Sequence, residues 1–239
     1  MTTKFHQQLT ALSVSKLGFD LAKEEQGSDA WLTSRLGVIS ASRASDLIAT
    51  GRGGKGVGAS RDTYLYELIA EVATGQQKDQ GKFKQTEYGH EHEDTAREIF
   101  AFNMGLQVTT IPFIYGDISM RYGCSPDGLA DEHSGLELKC PFTTDVYLKF
   151  LLKGEVKPEY VTQCQFSMFV TGLPYWHFGC HDPRMKKSGF HAITYERDEA
   201  LMKTFRDAVD QMVFDMDSEL ARIGFKFGDQ WVKPMELAA

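Results

Sequence analysis

Pro126-Asp127 is followed by Glu137-Leu138-Lys139, so two carboxylates and one ammonium stand in the order Asp…Glu-x-Lys. The runs around them, Ser-Pro-Asp-Gly-Leu at 125–129 and Gly-Leu-Glu-Leu-Lys-Cys at 135–140, are joined by an acidic turn and read as two antiparallel strands with a connecting loop. Closing that loop brings Asp127 beside Glu137. Alternate strand positions share a face, so Glu137 and Lys139 point together while Leu136 and Leu138 point the opposite way into apolar packing. Hard oxygen ligands of this kind suit Mg²⁺ or Mn²⁺, and Mg²⁺ needs only one or two carboxylates beside its waters and a substrate phosphate. A lysine beside such an ion can hold or help deprotonate an attacking water, and the ion can stabilise charge on the phosphate. The chemistry these residues can perform is phosphodiester hydrolysis. Cys124, Leu136, Leu138, Cys140 and Phe142 flank them and imply a buried neighbourhood, where unpaired charges would cost several kcal/mol.

The elements that must hold this set can be read from periodicity and caps. Ser28-Asp29 caps a short helix carrying Trp31 and Arg35, and Ser40 or Ser42 caps another through Ile48. Asp62 to Ala73 is an amphipathic helix stopped by Gly75, with Tyr64, Leu65, Leu68, Ile69 and Val72 on its apolar face. Glu87 to Met104 follows the same period through Ala96, Ile99, Phe100 and Phe102 and carries the acids Glu91, Glu93 and Asp94. Glu93, Ala96, Arg97 and Phe100 share one side, whereas Glu91 is rotated from Glu93 by about 200°. Val108 to Tyr115, Met120 to Ala130 and Gly135 to Cys140 read as strands, then Asp145 to Leu152 and Glu159 to Val170 as helices. Strands return at Tyr175 to His181 and Phe190 to Tyr195, and a long helix spans Asp198 to Ile223. The expectation is an α/β fold, a mixed β-sheet flanked by helices, with the catalytic turn at the open end of the sheet.

At 239 residues, 42% hydrophobic and 12% aromatic, the chain fits one domain over 1–239 with a core at about 28–231. No apolar run approaches the roughly 18 residues of a membrane span and the start lacks an apolar leader, so a soluble cytoplasmic protein is expected. Cys124, Cys140, Cys164 and Cys180 sit singly in apolar segments and read as reduced core thiols, which argues against a four-thiolate iron–sulfur site. A net charge of −7 argues against a protein that coats DNA nonspecifically, but not against a local channel. Three cation groups qualify as phosphate contacts: Arg52, Lys55 and Arg61 around a Gly-rich run, Lys82 and Lys84, and Arg184 with Lys186 and Lys187. The Gly-rich run lacks the Lys-Ser/Thr ending of a nucleotide P-loop and reads as a DNA-facing loop.

Several ungapped segments carry a resemblance beyond the tripeptide: Trp31 to Ile39, Cys124 to Leu129, Leu136 to Thr143, Asp182 to Lys186 and Gly224 to Trp231. Together they make the chain resemble the YqaJ-like viral recombinase (lambda-exonuclease-like) family of the PD-(D/E)xK, restriction-endonuclease-like nuclease superfamily, over nearly its whole length. The resemblance implies that Asp127, Glu137 and the main-chain carbonyl of Leu138 hold metal, two Mg²⁺ ions per site with Mn²⁺ able to substitute. It places a further metal-facing acid on Glu93, through the pattern Gly-x-x-x-Glu-x-x-Ala-Arg at 89–97, the action on water on Lys139, and an active-site glutamine on Gln163, with Gln165 the competing position. It assigns the pocket for a terminal 5′-phosphate to Arg35, Ser42 and Ser125, and DNA contacts to Arg52, Lys55 and Lys84. An arginine that the family carries after the Lys-Cys-Pro-Phe-Thr run is absent, Thr144 and Asp145 standing there, with Arg52 the candidate substitute. The family's apolar strand-separating wedge is replaced by Lys84, Gln85 and Thr86.

The activity implied is 5′→3′ exonuclease digestion of double-stranded DNA from 5′-phosphorylated ends to mononucleotides. The 3′ single strand left behind would enter recombination through a phage single-strand annealing protein. The implied assembly is a homotrimeric ring around linear duplex, with no membrane partner. Two rivals are a structure-specific endonuclease of the same fold, opposed by Arg35 with Ser42 and Ser125, and a non-catalytic DNA-end-binding module, opposed by the intact Asp127, Glu137 and Lys139.

Overall fold

The computed structural model describes residues 3–54, 56–78 and 84–232; Lys55 and Lys82, two of the expected DNA-facing cations, and the side chains of Gln85 and Thr86 lie outside the described residues. In chain order the elements are α1 (Lys4–Leu17), α2 (Asp29–Ser34), β1 (Ile39–Ser40), α3 (Ala44–Leu47), α4 (Ala59–Thr74), α5 (Lys84–Met104), β2 (Val108–Thr109), β3 (Ile114–Tyr115), β4 (Tyr122–Cys124), β5 (Gly128–Ala130), β6 (Ser134–Lys139), α6 (Thr144–Lys153), α7 (Pro158–Thr171), β7 (Tyr175–His181), β8 (Phe190–Glu196) and α8 (Glu199–Arg222). The strands form a mixed five-stranded sheet of order β2-β5-β6-β7-β8 and a small sheet of order β1-β4-β3. No helix among the described residues is long and apolar enough to cross a membrane.

Two expected strands break, each at a proline. Val108 to Tyr115 splits around Pro112, β2 pairing with β5 in the large sheet and β3 with β4 in the small one. Met120 to Ala130 likewise splits at Ser125-Pro126-Asp127, because proline has no N–H for a ladder and restrains the residue before it. The turn carrying Asp127 is thus the crossing from one sheet to the other.

Helix ends follow their caps. The Ser28 hydroxyl accepts from Trp31 N–H, Asp198 accepts from the first amides of α8, and Gly75, Gly154 and Gly172 close α4, α6 and α7 in the left-handed region. The expected cap at Ser40 or Ser42 is absent; the two hydroxyls lie 3.2 Å apart and neither caps α3. Phe102, expected on the apolar stripe of α5, is 87% exposed, since it lies about 200° from Phe100 and faces away from the sheet.

The large core packs α1, α4, α7 and α8 against the sheets, with Trp176, Phe166, Phe205 and Phe113 fully buried. A second, smaller core joins Ala96 and Phe100 of α5 to Leu136 and Leu138 of β6. Burying side chains of this size is worth about 1.5–3 kcal/mol each, which pins α5 to the face of β6 opposite Glu137 and Lys139. The four cysteines are free and buried.

Candidate active site

β5 and β6 pair antiparallel with Gly128 opposite Leu136, and one step further Asp127 N–H donates to Leu136 C=O at 3.0 Å. That register sets Asp127 beside Glu137, as the loop spacing requires. The turn is held from outside by Gln26, whose Nε2 donates to Pro126 C=O at 3.0 Å and Ile111 C=O at 3.3 Å.

Glu137 is buried on β6, and its Oε1 accepts from Lys139 Nζ and from Gln163 Nε2, the latter at 2.7 Å. Asp127 Oδ2 accepts from Leu138 N–H at 2.5 Å. Glu93 Oε1 accepts from Arg97 Nη2 at 2.8 Å. Each of the three carboxylates thus has one oxygen engaged, while the other accepts no hydrogen bond among the described residues. Arg97 does more than pair with Glu93: its Nε donates to Asp127 C=O at 2.6 Å and its Nη1 to Asp94 at 2.5 Å, so one guanidinium braces α5 against the catalytic turn. Sequence reasoning placed Arg97 beside Glu93 without giving it a role; the four-residue helical step between acid and base was the available signal. Glu91 is exposed, whereas the side chain of Glu93 is only 24% exposed.

Crowding three carboxylates in a buried setting shifts all of them. Glu93 is pushed up to about 7 by burial and by Asp127, and Glu137 to about 7 by burial and by Asp127 and Glu93 against the pull of Lys139. Burial also raises Asp127, against the pull of Lys139 and of Leu138 N–H. Burial alone would lower Lys139, but Glu137 and Asp127 more than offset it, so the amine stays an ammonium. No three His, Cys, Asp or Glu side chains among the described residues form a ready-made chelate. The donor set is nonetheless all oxygen, with one free oxygen on each of three acids that are costly to leave charged, and a hard divalent cation that retains waters fits it.

Gln165, the rival to Gln163, points elsewhere: its Nε2 donates to Glu196 C=O at 2.7 Å and its Oε1 accepts from Asp198 N–H at 3.0 Å, tying β8 to α8.

A cavity of about 700 Å³ opens over Glu93, Lys139 and Gln163. A second, of about 610 Å³, contains Arg35 and Ser40, and Ser42 lines both. The Arg35 guanidinium lies 4.0 Å from the centre of the Trp31 ring and 5.9 Å from that of Phe113, and its buried Nε has no hydrogen-bond partner among the described residues. Gly37 makes the bend behind it: φ is +67°, a Cβ there would come 2.5 Å from Val72, and its N–H donates to Glu71 at 2.8 Å. Ser125 Oγ is also buried and has no partner among the described residues, but Ser125 does not line this second cavity.

The profile of the YqaJ-like viral recombinase domain matches residues 30–174, a span containing Arg35, Ser42, Glu93 and the Asp127 to Lys139 pair of strands. The chain belongs to that family. An alkaline exonuclease from Laribacter hongkongensis, LHK-Exo, superposes with a TM-score of 0.74 at 30% identity over 82% of this chain and 96% of that one, and its complex with dAMP matches equally well at 29% identity. The fold alone is shared with a phage-related exonuclease of Haemophilus somnus, at TM-score 0.62, 14% identity and coverage of 78% and 96% of the two chains. Over 86 residues, 35% of this chain and 99% of the other, the uncharacterised protein ExoD of Escherichia coli K12 is 44% identical. Membership in the YqaJ-like family and these alkaline exonuclease relatives support a nuclease activity.

The expected cation groups fare unequally in this YqaJ-like chain. Arg52 and Lys84 are exposed. Arg61 is not: it is 7% exposed and its Nη2 donates to Asp215 at 2.7 Å, because on α4 it faces α8 rather than the Gly-rich loop. Arg184 is also committed. Its Nε donates to the fully buried Asp182 at 2.7 Å, and its Nη1 and Nη2 donate to the carbonyls of Phe142 and Pro141 at 2.6 and 2.8 Å. The Asp182-Pro183-Arg184 turn therefore fastens the segment that follows Lys139.

Proposed function

We propose that this protein is a Mg²⁺-dependent 5′→3′ exonuclease that degrades the 5′-phosphorylated strand of double-stranded DNA to mononucleotides. The observation that carries the reading is Ser42, which lines both the Arg35 cavity and the cavity over Glu93 and Lys139. An anion site beside a hydrolytic site measures substrate from its end.

In this reading the Arg35 guanidinium, whose buried Nε has no partner among the described residues, donates to the terminal 5′-phosphate, and the Ser42 hydroxyl on the same cavity completes the shell, while Ser125, expected there, lies off that cavity. Asp127, Glu137, the carbonyl of Leu138 and Glu93 would hold metal. The bound ion supplies charge stabilisation on the scissile phosphate and a more acidic water. Lys139 holds the water that attacks, and Gln163, through Glu137, fixes the face from which it comes. Arg97 keeps Glu93 and the Asp127 turn in register. LHK-Exo, a relative at about 30% identity, has been crystallised with dAMP, a 5′-mononucleotide of the kind this reaction releases. A trimeric ring around the duplex, and transfer of the 3′ strand to a phage-type single-strand annealing protein for recombination, are proposed on family membership.

Arg35→Ala is expected to erase the preference for 5′-phosphate over 5′-hydroxyl ends while Mg²⁺-dependent cutting persists. Initial rates on the two ends of otherwise identical duplexes check this; a preference that survives would remove Arg35 from the end pocket.

A further inference from the structure

Phe142 is 43% exposed, yet it lines the catalytic cavity with Lys139. Val146, equally exposed, lines the same cavity but is aliphatic, so Phe142 is the exposed aromatic ring there, while Phe102, Leu152 and Phe214 lie outside it. Phe142 is also braced. Its carbonyl is held by Arg184 at 2.6 Å, and Arg184 is locked onto the buried Asp182. Its ring meets Tyr88 edge to face, with centroids 5.6 Å apart and planes at 87°. Tyr88 in turn is buttressed by His92 at 4.4 Å and lies under the Arg184 guanidinium at 5.1 Å. An aromatic ring kept partly in water, with its backbone held by Arg184 and its ring braced against Tyr88, is arranged to receive something flat.

The occupant follows from the neighbouring chemistry. A phosphodiester at a duplex end reaches a concave site only if its nucleotide leaves the stack, and a lost stacking partner can be replaced by an aromatic side chain. Resting on the exonuclease reading above, we propose that Phe142, positioned by Tyr88 and Arg184, is the base-stacking surface that holds the terminal base pair open at the catalytic cavity.

The test compares wild type, Phe142→Ala and Phe142→Trp on two 5′-phosphorylated duplexes, one blunt and fully paired, the other with its last three pairs mismatched. A 2-aminopurine at the terminal position of the cut strand reports stacking. Phe142→Ala is expected to lower kcat/KM on the blunt end by about tenfold or more, to change the mismatched end by less than about twofold, and to lose the quenching seen with wild type; Phe142→Trp restores both. Melting temperature is expected to hold because the ring is at the surface. Equal losses on both ends, an unchanged 2-aminopurine signal, or a change in sedimentation that marks a subunit contact would each overturn the assignment. A wild type that cuts neither duplex would overturn the exonuclease reading itself.

Discussion

Lys139→Ala is expected to lower the single-turnover rate by roughly 10²–10⁴-fold, the span of a positioned acid–base group, while leaving affinity for a phosphorylated duplex end within about threefold. Lys139 is the cation that β6 directs to the same face as Glu137, and it touches Glu137 Oε1. Burial would push its proton off, but two carboxylates hold it on. A lysine kept charged there can orient a water and offset charge as it develops. The end pocket at Arg35 is built on α2 and the bend after it, so binding and turnover should separate. Anisotropy with a labelled duplex in Ca²⁺, beside quenched-flow rates in Mg²⁺, makes the comparison. Full activity in the alanine variant would remove Lys139 from the mechanism.

Asp127→Asn is expected to abolish activity and, unusually for a buried substitution, to raise the melting temperature of the metal-free protein at pH 8. Glu93 and Glu137 ionise near pH 7 in the folded chain and Asp127 above its ordinary value, whereas all three ionise near pH 4 when unfolded. Between about pH 4 and 7 the native state therefore binds more protons than the unfolded state. The stability these acids contribute is present below that window, declines as pH rises through it, and stays low at pH 8. Asparagine removes one of the three like charges, and its side-chain oxygen can still accept from Leu138 N–H. The gain should shrink at pH 5, where Glu93 and Glu137 are already protonated and no longer repel Asp127, and in Mg²⁺, which compensates the wild-type charge. Calorimetry in EDTA at both pH values decides it. A lower melting temperature at pH 8 would mean that Asp127 is instead a net stabilising partner of Lys139 and Arg97.

The part of the site built from short-range patterns was legible in the sequence. Strand alternation puts Glu137 with Lys139, a hairpin register puts Asp127 opposite them, and a helical period separates Glu93 from Glu91. What pattern does not carry is the identity of a distant partner. Arg61 and Arg184 looked equivalent to Arg52, because a cation's commitment to Asp215 or to the carbonyls of Pro141 and Phe142 depends on residues dozens of positions away. The division into two sheets was missed for a similar reason: periodicity runs through Pro112 and Pro126, and only the pairing of β2 and β3 with different strands reveals the break. Arg35 stands between these cases. Its family motif marked it, but the Trp31 and Phe113 rings that bury it, and the cavity that joins it to Ser42, are tertiary.

The most direct test of the central claim is digestion of linear duplex DNA labelled at one 5′ end or the other, carrying 5′-phosphate or 5′-hydroxyl, in Mg²⁺ and in EDTA, beside a covalently closed circle. Mg²⁺-dependent release of labelled mononucleotides from phosphorylated 5′ ends, with the circle intact, is the expected result. Cutting of the circle, or no cutting of any substrate in Mg²⁺, would contradict it, pointing to an endonuclease in the first case and to an end-binding module in the second.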